Sequence, residues 1–258
     1  NVRIENSTIK RSGDDGIQLE SNVYLYNNTI SSNTNRGIYV ISGSDYAKIR
    51  YNKIDDNDEQ GIYVFGVHHV EIRNNVIEDN ENYGIQLKDA NYTQISDNTV
   101  DDNDGGLRTE ATYNCNITGS TFKNNNGKGI WFTTSSNGNN IRDTVASGSS
   151  SNDIELDDSK RNTGFNFTFG SGSIDVDSDS DFRVMNTLNI KFTNGSDAFA
   201  GVDLELFNYD TVVYATPFYS GNDAVSSSTG FISGELTVAY EIYNGSSTTE
   251  DVDTTLKY

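Results

Sequence analysis

A single cysteine, Cys115, excludes an internal disulfide and leaves the redox compartment open. Basic residues are scarce: 18 Lys and Arg stand against 38 Asp and Glu, a formal net charge of −20. A field of that sign repels nucleic acid and anionic lipid and draws cations, so no nucleic-acid partner is expected. No run of about 20 apolar residues occurs, so no membrane span is expected. Nothing after Asn1 reads as a signal peptide, and the numbering is expected to describe a mature chain or a fragment of a longer one. Only 34% of the residues are hydrophobic, which in an aperiodic chain would point to disorder. Here the apolar residues are periodic, and that reverses the conclusion.

One apolar anchor recurs as Ile4, Leu25, Ile49, Ile72, Ile95, Ile117 and Ile141, at spacings of 21 to 24 residues. A second series runs Ile9, Ile30, Ile54, Ile77, Val100, Phe122 and Val145. A third follows a glycine, as in Gly16-Ile17, Gly37-Ile38, Gly61-Ile62, Gly84-Ile85, Gly106-Leu107 and Gly129-Ile130, then Asp153-Ile154. Such a period marks a solenoid, whose repeats bury their apolar faces only against neighbours. Around each anchor apolar and polar residues alternate, as in Val70-Glu71-Ile72, which argues for short strands with one face inward. Asn, Asp, Ser and Gly fill the intervals and supply turns. Each period therefore reads as three strands, and stacked periods pair equivalent strands about 4.8 Å apart in a parallel β-helix.

Two asparagine columns fit that stack: Asn28, Asn52, Asn75 and Asn98, and Asn33, Asn57, Asn80, Asn103 and Asn125. They suit amide ladders or plain turn geometry, a structural role either way. Cys115 falls in an inward series with Val2, Val23, Ala47, Val70 and Thr93, so it reads as a small buried hydrophobe rather than a nucleophile. Phe165, Phe169, Ile174 and Val176 continue the three series into a shortened eighth coil, whose aromatics are expected to close the core. The domain expectation is a right-handed parallel β-helix over residues 1–177, an acidic linker at 178–181, and a β-sandwich over 182–258. In the last segment longer alternating strands appear, Leu188–Phe192, Val202–Leu206, Leu236–Ile242 and Thr255–Tyr258, with turns at Asn194-Gly195, Gly221-Asn222 and Asn244-Gly245. The fold class is therefore all-β, with an Ig-like antiparallel sandwich as the second part.

The pattern Asn52-Lys53-Ile54 followed by Gly61-Ile62-Tyr63-Val64 resembles the right-handed parallel β-helix repeat of pectin lyases, NosD-type periplasmic proteins and many surface proteins. Val212-Val213-Tyr214-Ala215-Thr216-Pro217, with Gly221-Asn222-Asp223 and Ser228-Thr229-Gly230, resembles sandwich modules that follow such repeats in archaeal cell-surface proteins. The second resemblance implies a surface-layer or surface-appendage subunit.

Enzymes on this fold cleave acidic polysaccharides, so each catalytic pattern was sought in turn. Ser12-Gly13-Asp14-Asp15-Gly16 looks like the Gly-Asp-Asp motif of polygalacturonases, in which paired carboxylates act as acid and base. The companion motifs of that family are missing, and His68 and His69, the only histidines, occupy another turn. Arg108 faces outward as a lyase base would, beside Gln86 and Trp131, which on their own do not complete a site. No catalytic residue and no organic cofactor is therefore expected, and the chain reads as non-enzymatic.

Carboxylates stack at equivalent turns in three coils: Asp55-Asp56, Glu78-Asp79 and Asp101-Asp102. Like charges one coil apart repel by about 1 kcal/mol per pair even in water, and Ca²⁺ would relieve this, so they are structural calcium candidates against a solvated ridge. Asp175, Asp177 and Asp179 form a second candidate cluster, without the Gly and Glu that an EF-hand needs. An outward aromatic column, Tyr39, Tyr63 and Trp131, suits sugar stacking or a protein interface. Sequons at Asn6, Asn27, Asn91, Asn116, Asn166, Asn194 and Asn244 are available for glycosylation in an exported protein, though no more numerous than chance allows.

The primary expectation is an extracellular, cell-surface structural protein, a segment of a surface layer or filament. It would self-assemble or join neighbouring segments through β-helix ends that start uncapped at Val2-Arg3-Ile4, with glycans as further partners. The alternative is a carbohydrate-active enzyme or polysaccharide-binding module on the same fold.

Overall fold

The computed structural model describes residues 2–170, 173–208, 211–232, 236–245, 249–251 and 254–257. The end of the last expected strand, Tyr258, and the closing residue of the Asn244 sequon, Ser246, lie outside them. The chain divides into two compact units, one built from residues 1–182 with 243–248 and the other from 183–242 with 249–258. Among the described residues no helix is long and apolar enough to cross a membrane.

The first unit is a parallel β-solenoid of about eight turns. Its first sheet starts at Val2–Glu5 and reaches Asn162–Phe165; its second runs from Thr8–Lys10 to Val145–Ser147; its third runs from Ile17–Leu19 to Ile174–Val176. Each strand pairs in parallel with its equivalent one coil on, as in Ile49 with Ile72 and Ile72 with Ile95. The anchors thereby stack into columns that are almost wholly buried from Leu25, Ile30 and Ile38 onward. The glycine before each third strand has a steric cause: a Cβ on Gly37 would stand 2.7 Å from the Gly61 carbonyl oxygen in the next coil.

Both asparagine columns are amide ladders. The Asn52 Nδ2 donates to Asn75 Oδ1 at 3.0 Å, Asn75 Nδ2 to Asn98 Oδ1 at 3.0 Å, and the backbone N–H of Asn52 and Asn75 donates to the same two oxygens at 2.9 Å. The second column repeats this from Asn33 to Asn125. These buried amides satisfy corner N–H and C=O groups that the sheets cannot reach. A third ladder, Asn139 to Asn162, replaces the apolar series that ends at Cys115, whose own N–H donates to Asn139 Oδ1. Cys115 is buried, and burial pushes its thiol up to about 12, as a structural cysteine requires.

Two apolar assignments are corrected. Phe122 stacks on Ala146, not Val145, and Ile141 stacks on Gly164, so Phe165 points outward beneath the Arg142 guanidinium at 4.1 Å. The reason is geometric: in every coil the second anchor follows the first by five residues, from Ile4 and Ile9 to Ile117 and Phe122. Ile141 therefore selects Ala146 although Val145 is the more apolar residue. The end of the core is aromatic as expected, with buried Phe167 against Phe169 and edge-on to Phe182.

The second unit is antiparallel. Glu205–Asn208 pairs with Thr211–Ala215 on one side and Thr254–Lys257 on the other, and Thr193–Asn194 forms a short hairpin with Asp197–Ala198 through Gly195 at φ 69°. Leu204, Leu206, Tyr214, Ile232 and Val238 make its core.

Candidate functional site

The outward column of the third sheet reads Gln18, Tyr39, Tyr63, Gln86, Arg108, Trp131 and Glu155, and the register holds throughout. Tyr39 and Tyr63 stack with ring centroids 5.4 Å apart at 11°. Arg36 caps them, its guanidinium 3.6 Å from the Tyr39 ring centre, and its Nε donates to Asp15 Oδ1 at 2.8 Å. Asp14 Oδ1 accepts from Asn35 Nδ2. The Asp14-Asp15 turn is thus tied into the next coil as a structural element.

Further along, Glu110 joins the parts that sequence alone left separate. Lys88 Nζ lies 2.9 Å from its Oε2, Arg108 Nη2 lies 2.6 Å from its Oε1, and Gln86 Nε2 donates to Oε1 at 3.3 Å. Gln60 donates to Gln86 in turn, at 2.9 Å. Gln86 points outward yet is only 6% exposed, because these long side chains close over it. The Arg108 guanidinium lies 4.6 Å from the Trp131 ring centre, and Lys128 Nζ lies 3.4 Å from it. The indole N–H donates to Asp157 Oδ2 at 2.8 Å, and Lys128 pairs with Glu155. Arg108 Nε is buried and makes no hydrogen bond, while the side chain as a whole is 30% exposed.

Tyr83 completes the cluster. Its ring packs over Gly105 and approaches Trp131, with centroids 6.3 Å apart. Burial pushes its phenol up to about 12, against the lowering influence of Arg108. Tyr63 is likewise raised by burial, and the hydrogen bond to Glu110 raises Lys88. Tyr83 is therefore a proton donor at any ordinary pH. Sequence reading passed over Tyr83, Lys88, Glu110 and Lys128 because none of them sits in the repeating outward column. Each flanks it by two or three positions and reaches in through side-chain length.

The other candidates stay apart from this cluster. Asp55, Glu78 and Asp101 do stack in register, but Lys53 Nζ lies 3.4 Å from Asp55 and 2.9 Å from Glu78, while Asp101 Oδ1 accepts from Asn124. Asp56, Asp79 and Asp102 are left-handed corner residues, with φ between 53° and 56°. Asp79 and Asp102 line an open hollow with Glu81 and Asp104. Asp177 spends its oxygens inside a turn: against the upward pull of partial burial, hydrogen bonds from Ser180 and from the N–H groups of Asp158 and Asp179 lower its pKa, while Asp175 and Asp179 are exposed. Among the described residues no three His, Cys, Asp or Glu side chains are grouped to hold a metal ion, so no step is derived through Ca²⁺. His68 Nδ1 accepts from the Asn91 N–H at 3.1 Å, and His69 is stacked between Tyr46 and Tyr92. Of the sequon asparagines, Asn6, Asn27, Asn166, Asn194 and Asn244 are exposed, and Asn91 and Asn116 are half-buried.

The sequence model of the right handed beta helix region matches residues 1–146 and 66–180. The chain belongs to the right-handed β-helix family. No curated protein sequence matches it. Among solved structures it is similar to the A-module of the Azotobacter vinelandii mannuronan C-5 epimerase, at 16% identity and a TM-score of 0.64, over 68% of this chain and 55% of that one. It is also similar to tailspike protein 2 of Escherichia coli O157:H7 bacteriophage CAB120, at 13% identity and a TM-score of 0.60, over 69% and 31% of the two chains. A third is pectate lyase Pel9A, at 13% identity and a TM-score of 0.53, over 71% and 64%. The β-helix chain thus spans less than two thirds of each of these structures. At such identities the likeness establishes the fold. It also overturns the non-enzymatic expectation, since an epimerase and a lyase share this β-helix and the missing polygalacturonase motifs therefore exclude one reaction only.

Proposed function

We propose that this β-helix is a carbohydrate-active protein that holds a polysaccharide along the outward face of its third sheet. The observation that carries the reading is the convergence of Tyr83, Arg108, Glu110 and Trp131, continued by the stacked Tyr39 and Tyr63. Aromatic faces in a row suit pyranose rings, which present C–H groups to a π surface. Arg108, whose side chain is 30% exposed, suits a uronate carboxylate, which accepts hydrogen bonds from such a cation. Tyr83, whose ring lies beside Trp131, places a phenol O–H donor among these groups. The mannuronan C-5 epimerase and pectate lyase neighbours support uronate chemistry, since mannuronan and pectate are uronate polymers. A surface or extracellular location belongs to the same reading and is supported by the tailspike neighbour. Within it the antiparallel C-terminal unit serves as an Ig-like display module.

Mannuronan, polygalacturonate and a neutral glucan, each incubated with the chain, separate the outcomes. Epimerised or unsaturated product from a uronate polymer, or binding lost in Arg108→Gln and Trp131→Ala, supports the reading. Polymers that are neither bound nor altered overturn it.

A further inference from the structure

Cations and tyrosines also gather on the outward face of the first sheet, on a different side of the coil from the cluster above. Arg3, Tyr24 and Lys48 follow one another in a single outward column, and Tyr26 and Arg50 follow one another in the column beside it. Arg3, Tyr24, Lys48 and Arg50, together with Tyr46, border an open cavity of about 680 Å³, within the range of ligand-sized sites. The Arg3 guanidinium lies 5.0 Å from the Tyr24 ring centre and 5.4 Å from that of Tyr26, and Arg50 lies 5.7 Å from Tyr24. Tyr26 in turn meets Tyr51 edge-on at 5.3 Å.

Three cations on one small area stand out in a chain of net charge −20. Two of them are oriented by carboxylates that also offset their charge: Arg3 pairs with Glu5, and Arg50 Nη2 lies 2.5 Å from Glu71 Oε2, which leaves Lys48 as the uncompensated cation. Lys48 is exposed and, among the described residues, has no carboxylate partner. Tyr46, at 60% exposure, holds a left-handed backbone at φ 68° and stacks on His69 at 4.9 Å, leaving its other face toward the cavity. Tyr46 takes the left-handed corner conformation that recurs at His69 and Tyr92 one and two coils on, and this corner sets its ring on the surface beside Lys48.

We propose that this face is a second saccharide-binding site, selective for an anionic sugar unit whose ring stacks on Tyr46 or Tyr24 while its acidic group meets Lys48 and Arg50. The site depends on none of the third-sheet residues. It would grip a polymer at a distance from the chemistry and raise its local concentration there.

The test is calorimetric titration of the full chain carrying Arg108→Gln and Trp131→Ala, which weakens binding at the third sheet so that variants of Lys48 and Tyr46 report the first-sheet site. Trigalacturonate and the neutral maltotriose are the probes. Trigalacturonate should bind the more tightly, and the preference should shrink with added salt. Lys48→Gln removes no ion pair, and Tyr46→Asn puts a residue tolerant of left-handed backbone in place of the ring, so both variants should keep the parent melting temperature. Each should weaken binding about tenfold, or 1.4 kcal/mol. No binding at millimolar trigalacturonate, equal affinity for maltotriose, or full affinity in both variants would overturn the site. None of these results bears on the third-sheet cluster, which its own variants address.

Discussion

The ring of Tyr83 lies across the backbone of Gly105 in the next coil, so closely that a Cβ on residue 105 would stand 2.2 Å from the ring's Cε1. Glycine there is what lets the phenol fold down toward Arg108 and Trp131 instead of standing into solvent.

Gly105→Ala should therefore displace the ring. Overpacking of this kind costs about 1–3 kcal/mol in stability. Misplacing a reacting group by an ångström costs on the order of 100-fold in rate. Turnover of a uronate polymer, set beside the melting temperature, checks whether the loss in activity outruns the loss in fold.

Tyr83 also sets an alkaline limit. Its phenol is pushed from 10.0 to about 12, so the folded chain holds this proton more tightly than the unfolded chain does. The resulting stabilisation is complete below pH 10 and disappears as pH climbs through about 12. Denaturation across that window should show a decline that is shallower in Tyr83→Phe. Tyrosinate absorbance should show one late-ionising group fewer in the same variant.

In the ladder, Asn75 links three coils. Asn75→Ala removes the partner of the Asn52 backbone N–H and a donor to the Ile49 carbonyl, while the Asn52 side-chain amide keeps the Arg50 and Leu25 carbonyls. Each stranded buried group costs about 1–3 kcal/mol, so the total should reach about 2 kcal/mol or more. Urea denaturation should show it as a lower midpoint, with the surrounding coils unfolding together.

The reassigned stack at Val145 and Ala146 makes an opposing pair. Val145→Ser should leave the melting temperature nearly unchanged, because that side chain points outward and is half-buried. Ala146→Asp places a charge in a fully buried column beneath Phe122 and should destabilise the β-helix by several kcal/mol. The reverse ranking in thermal scans would restore the apolar assignment.

The coil was legible in the sequence because inward positions are repeated: seven isoleucines and leucines at one phase cannot arise from surface selection. Phe165 and Val145 were misplaced because hydrophobicity was weighed above the five-residue interval that corner geometry imposes. The site was harder to read. Tyr39, Tyr63 and Trp131 lie in the column that periodicity identifies, whereas Glu110 and Tyr83 each occur once and gain meaning only when neighbouring coils bring Lys88, Arg108 and Gly105 alongside. The Asp55 ridge shows the converse, since the carboxylates do align but Lys53, two positions away on the same strand, reaches between them. Side-chain reach across coils is invisible to any reading that treats each repeat by itself.

Corner geometry that recurs without change also makes the whole coil the smallest unit that can be gained or lost. Removing one between Tyr63 and Trp131 would leave every ladder intact and draw the two rings closer by a single strand spacing, about 4.8 Å. That step is close to the length of one sugar along a chain. On the proposed reading the face is a ruler graduated in monosaccharides, and duplication of a 23-residue block would lengthen the polysaccharide it holds by one unit at a time.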